Sequence, residues 1–159
     1  MTKSNKNIQP GIGLGSIKFG MTRDQVEAIL GEPGEKEMFS YTGGDDDIAE
    51  LWHYDELELS ASFDEEDDWR LVTLSVTGED YLLEGMPVIG LTQEALKATL
   101  LKLDITDLEY EDLSSAENPS HELLATDDYG LNFWLDNGIV SEIQWIPDFL
   151  DDEKIDWPE

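Results

Sequence analysis

The chain contains no cysteine, so disulfides, thiolate nucleophiles and thiolate metal ligands are all excluded. Basic residues are scarce. Nine lysines and arginines face thirty-eight aspartates and glutamates, a formal net charge of −29 over 159 residues. A field of that sign repels nucleic acid and anionic membranes and attracts basic partners. Long apolar runs are missing as well. None approaches the roughly 20 residues needed to span a bilayer, and Met1 to Pro10 is polar where a secretory signal would be apolar. These absences lead to the expectation of a cytoplasmic protein with no membrane contact and no direct nucleic-acid contact.

Hydrophobic residues nonetheless make up 40% of the chain, with aromatics from Phe19 to Trp157. That is too apolar for a wholly disordered polypeptide, and a folded domain is expected. The acidity has two bland readings, solubility and adaptation to a salt-rich cytoplasm, beside a functional one.

An internal similarity organises what is present. Phe19-Gly20-Met21-Thr22 recurs as Ile89-Gly90-Leu91-Thr92. Each copy opens an amphipathic pattern, Val26, Ile29 and Leu30 in the first and Leu96, Leu100, Leu101 and Leu103 in the second. A threonine suits the N-cap, where its oxygen accepts from an orphan backbone N–H; Thr22 with Gln25 completes a capping box, whereas Thr92 has Ala95 at the matching place. Gly31-Glu32-Pro33-Gly34 stops the first helix. Glu50-Leu51-Trp52 aligns with Glu122-Leu123-Leu124, and Leu59, Phe63 and Asp64 with Leu131, Leu135 and Asp136. Leu57, Leu59, Ala61 and Phe63 alternate with polar residues as in a strand with one buried face. Asp136-Asn137-Gly138 marks a hairpin turn.

These patterns predict an α+β fold of two tandem helix-plus-antiparallel-sheet units, with joined sheets and the helices packed on one face. The expected boundaries are a flexible N-terminus at 1–10, a first unit at 11–77, a linker at 78–87, a second unit at 88–147 and an acidic tail at 148–159.

The stretch Gly13-Leu14-Gly15-Ser16-Ile17-Lys18-Phe19-Gly20-Met21-Thr22, followed by Gln25-Val26 and Leu30-Gly31-Glu32-Pro33, resembles the helix-opening segment of the BamE-like outer-membrane assembly lipoproteins. It also resembles that of the β-lactamase-inhibitor-protein-like (BLIP-like) domains. In the inhibitor family two such units stand in tandem, and their sheets form one antiparallel surface that grips a partner protein. The resemblance implies a protein-binding surface. The motif itself is a cap, a turn and a helix stripe, which are structural devices, and it identifies no partner.

No catalytic pattern emerges. Asp64-x-Glu66-x-Asp68 begins like a calcium loop, but Trp69 stands at the glycine position and Ser75 at that of the bidentate glutamate. His53 and His121, the only histidines, have no ligand spacing around them, and no nucleophile elbow frames a serine. Gly11-Ile12-Gly13-Leu14-Gly15 lacks the lysine of a phosphate loop. The expectation is no catalytic residue, no metal and no cofactor: not an enzyme, but an inhibitor or immunity-type protein acting on a basic partner enzyme. Its expected contact residues are Asp45, Asp46, Asp47, Asp64, Glu65, Glu66, Asp67, Asp68 and Trp69, an aromatic anchor among acids. Trp69 folded back over the sheet is the competing reading of that residue. A DNA mimic, or a structural domain whose acidity serves solubility or high salt, are the alternative functions.

Overall fold

The structure is a computed structural model that describes residues 7–40, 48–106, 108–113, 121–126, 130–149 and 155–156. The first described residues form a small meander, β1 (Asn7–Gln9), β2 (Gly13–Leu14) and β3 (Ile17–Lys18). Gly13 makes its tight return feasible. At φ 152° a Cβ there would sit 2.0 Å from the Ile17 carbonyl oxygen.

Helix α1 (Arg23–Leu30) starts at Thr22 with both bonds of the expected capping box and ends at Gly31, whose φ is 87°. Only Val26 of its apolar stripe is buried; Leu30 is half-buried and Ile29 is 43% exposed. Four strands follow, β4 (Glu35–Ser40), β5 (Ile48–Tyr54), β6 (Leu59–Asp64) and β7 (Arg70–Val76). The alternation that begins at Leu57 becomes a strand only at Leu59, because Asp55–Leu57 form a 3-10 turn that ends with Glu58 in the left-handed region.

The segment 78–87 carries β8 (Leu82–Leu83) and β9 (Met86–Pro87). Helix α2 (Gln93–Lys102) buries Leu96, Thr99 and Leu100 and leaves Leu101 64% exposed. The chain continues through β10 (Leu108–Asp112), β11 (His121–Thr126), β12 (Leu131–Asp136) and β13 (Ile139–Trp145), then β14 (Asp148–Phe149) and β15 (Ile155–Asp156). Asn137 and Gly138, both at positive φ, turn β12 into β13 as the Asn-Gly pair predicts.

One sheet runs β10-β11-β12-β13-β7-β6-β5-β4, with every neighbouring pair antiparallel. A second runs β3-β2-β1-β8-β9, in which β1 and β8 are parallel, and β14 pairs with β15. This overturns the expected α+β class. Among the described residues, two α-helices accompany an eight-stranded and a five-stranded sheet, so the fold is β-rich. The division into two tandem helix-plus-sheet units is overturned with it. The five-stranded sheet draws its strands from both residues 7–18 and residues 82–87, so it belongs to neither expected unit.

One apolar cluster joins both helices to the eight-stranded and five-stranded sheets. The large sheet contributes Trp52, Ala61, Leu74, Ile143, Trp145 and Phe133; the helices contribute Val26, Leu96 and Leu100; the small sheet contributes Ile8, Leu14 and Leu83. Side chains alternate across a strand, so these large-sheet residues define one covered face. Trp145 also donates its Nε1–H to the Gly13 carbonyl at 3.1 Å, tying the last strand of the large sheet to the meander.

Candidate functional site

The opposite face of the eight-stranded sheet contributes none of the residues of the apolar core cluster. Strand register defines it. Glu35, His53, Ser60, Ser75, Gln144, Asn132, Ala125 and Glu109 lie opposite one another in succession, one from each strand from β4 to β10. A row of eight residues with a single apolar member is a solvent-facing row. A second row, Glu111, Leu123, Trp134 and Glu142, runs beside it on β10 to β13.

Between β5, β6, β7 and β13 this face sinks into a concavity of about 620 Å³. Its lining includes Ser60, Ser62, Thr73, Ser75, Glu142 and Gln144, with Asp55 and Glu58 also contributing. The Ser75 hydroxyl donates to Glu142 Oε2 at 2.6 Å, which orients that carboxylate. Ser62 is only 5% exposed, and its Oγ is the one buried side-chain oxygen or nitrogen without a hydrogen-bond partner among the described residues. Among the described residues, no lysine or arginine lines the concavity.

Both histidines project from this face. His53 Nδ1 lies 3.2 Å from Ser60 Oγ, and its Nε2 lies 3.3 Å from Glu37 Oε2. Among the described residues, Glu35, Glu37 and His53 each offer one ligand atom, all within 4.8 Å of one another, a spacing that could hold a divalent cation. On the far half of the sheet, His121 stacks on Trp134 with ring centroids 5.0 Å apart, and its Nδ1 is 3.1 Å from Asp136 Oδ1. The Ser141 hydroxyl donates to the other Asp136 oxygen at 2.7 Å. That bond first, and His121 second, hold the Asp136 carboxyl below its usual range.

The outward carboxylates of this face are Glu35, Glu37, Glu109, Glu111, Asp136 and Glu142. Among the described residues, the one lysine or arginine at an outward strand position is Arg70, opposite Asp64 in register at one end of the sheet. Lys36 is on the covered side, with its Nζ 4.7 Å from the centroid of the Trp52 ring.

The described members of the expected contact set, Asp64 to Trp69, all lie at the β6–β7 turn. Asp64 ends β6, and Glu65–Asp67 form a 3-10 turn. Asp68 and Trp69 both take left-handed backbone, at φ 58°. The Trp69 ring packs against the core with the Arg23 guanidinium over it. Asp45, Asp46 and Asp47 lie outside the described residues. His53, Ser62, Trp134 and Glu142 were not singled out from the sequence as contact residues. Alternation along a strand does not by itself say which face the helices cover.

No family model matches the chain, and no curated protein matches it. Among solved structures, a crystal structure of an extracellular protein containing a SCP domain from Bacillus anthracis str. Ames is similar with a TM-score of 0.46 and 17% identity, over 81% of this chain. The chain spans 44% of that protein's length. No helix is long and apolar enough to cross a membrane among the described residues.

Proposed function

We propose that the chain is a non-enzymatic, cytoplasmic protein-binding module of the inhibitor or immunity type, which holds a basic partner enzyme against the uncovered face of its eight-stranded sheet. The observation that carries the reading is the charge of that face. Carboxylates stand at outward positions on β4 (Glu35, Glu37), β10 (Glu109, Glu111), β12 (Asp136) and β13 (Glu142), and among the described residues Arg70 on β7 is the one guanidinium at such a position. Such a surface accelerates encounter with a positively charged protein and penalises a negatively charged one. Trp134, half-buried and held by the His121 stack, offers the rigid aromatic contact that anchors interfaces. The sequence resemblance to BLIP-like domains supports the same reading, since those domains use a joined antiparallel surface in this way.

The test is a pull-down from lysate of the source organism at 0.05 and 0.15 M salt, with the wild-type chain beside Gln144→Lys and Glu94→Lys. Gln144 lies in the outward row, whereas Glu94 is exposed in the first turn of α2. One stoichiometric basic protein, retained at the higher salt and lost only with Gln144→Lys, supports the proposal. A set of nucleic-acid-binding proteins that vanishes as salt rises would point to a DNA mimic. An empty eluate would return the acidity to solubility.

A further inference from the structure

The concavity between β5, β6, β7 and β13 has a chemistry that selects its occupant. We infer that it seats the guanidinium group of an arginine side chain presented by the partner; this rests on the protein-binding reading above and specifies its chemistry. Three carboxylates contribute to the lining, Asp55, Glu58 and Glu142, so an anion is repelled. Serine and threonine hydroxyls from β6 and β7 supply acceptors, and an apolar side chain would cover them without a bond. A donor-rich, acceptor-free cation satisfies both sets of groups.

Two details favour arginine over lysine. Glu142 is already oriented by Ser75, which leaves it placed to accept an in-plane N–H pair. The remaining acceptors are spread over neighbouring strands about 4.8 Å apart. A planar fork with five donors bridges that spacing, whereas a single ammonium centre does not. Ser62 adds an independent sign of a missing partner. Its side chain belongs to the concavity, it is almost fully buried, and its Oγ is unbonded. A buried hydroxyl left unpaired is costly, and a donor entering from the concavity would relieve that cost.

The inference is tested by titrating the isotopically labelled full chain with N-acetyl-arginine amide and, separately, N-acetyl-lysine amide at 0.15 M salt, following backbone amide shifts by NMR. The expected result is saturable shifts centred on Ser60, Ser62, Thr73, Ser75 and Gln144, with the arginine compound binding at least threefold more tightly. Glu142→Gln preserves shape and should weaken arginine binding at least fivefold. Thr73→Val, a near-isosteric second variant, should weaken it about twofold. Shifts spread evenly over the acidic surface, equal response to both compounds, or an unchanged Glu142→Gln titration would overturn the inference. The two readings fail separately. Local arginine binding without any protein partner keeps the seat and removes the module, while a captured partner whose affinity ignores Glu142→Gln keeps the module and removes the seat.

Discussion

The Arg23 guanidinium carbon lies 4.5 Å from the centroid of the Trp69 ring, and its Nη1 is 3.5 Å from Glu50 Oε2. One cation from the start of α1 therefore joins the β6–β7 turn to β5. Glu50 in turn accepts from the Trp52 indole, and Lys36 covers the Trp52 ring. In a chain with nine basic residues, at least two are engaged with tryptophan faces.

That arrangement makes Trp69 structural in its first effect. Trp69→Ala should lower stability by about 2 kcal/mol, from lost apolar burial plus a cation–π contact of about 0.5–1 kcal/mol. Arg23→Ala should cost less, on the order of 1 kcal/mol, because its ion pair with Glu50 is partly exposed. Urea denaturation of both variants checks this. An unchanged midpoint for Trp69→Ala would mean that the ring is not part of the fold and is free for a partner.

Ser62 offers a prediction of the opposite sign. Its unbonded hydroxyl is buried at no gain, so Ser62→Ala should stabilise the chain by about 1 kcal/mol. The same variant should lose affinity for the arginine compound. Stability rising while binding falls is the signature of a site that trades one for the other. A destabilised Ser62→Ala would show that the hydroxyl has a partner in solution.

Two tyrosines set the alkaline limit. Burial, and then the Glu27 charge, push Tyr54 up to about 12; burial, and then Glu58 and Asp80, do the same for Tyr81. In the unfolded chain both ionise near pH 10. The folded state therefore holds protons that the unfolded state has lost, and the tyrosine contribution, whole below pH 10, disappears as pH rises towards 12. The loss should be no more than roughly 2 kcal/mol for each residue after allowance for solvent screening. The urea midpoint should accordingly fall between pH 9.5 and 12. Tyr81→Phe, which also gives up the 2.5 Å bond to the Leu57 carbonyl, should start lower and fall less steeply. An identical slope in wild type and Tyr81→Phe would exclude Tyr81 as a cause.

Local devices were legible in the sequence because each depends on a few adjacent residues. The Thr22 capping box, the Gly31 stop and the Asn137-Gly138 turn all occur where the residue types require them. The class was not legible. Strands β1, β2, β3, β8 and β9 are two or three residues long, too short for alternation to register, and β1 meets β8 through a distant parallel pairing. The site was hidden for a related reason. Period-two alternation separates Trp52 and Trp145 from Trp134 only when the covered face is known, and two bulges, at Ser62/Phe63 and Trp134/Leu135, shift the phase inside the strands that form it.

The two helix starts allow a comparison within one molecule. Each is fastened to the sheet in the same way: the Gly20 N–H donates to the Leu71 carbonyl and the Leu71 N–H to that of Met21, while Gly90, Val140 and Leu91 make the equivalent pair of bonds. The caps differ. Thr22 Oγ1 accepts from the Gln25 N–H and Gln25 Oε1 accepts from the Thr22 N–H, whereas Thr92 Oγ1 accepts only from the Ala95 N–H. Ala95→Gln would supply the missing half. Alanine has the better intrinsic helix propensity, but the difference is a few tenths of a kcal/mol, less than a capping bond near 1 kcal/mol. Ala95→Gln should therefore gain about 0.5 kcal/mol, and Thr92→Ala and Thr22→Ala should each cost about 1 kcal/mol. The decisive comparison is Ala95→Gln with Thr92 intact against Ala95→Gln in a Thr92→Ala background. If the gain persists without the threonine, the glutamine is acting through something other than the cap.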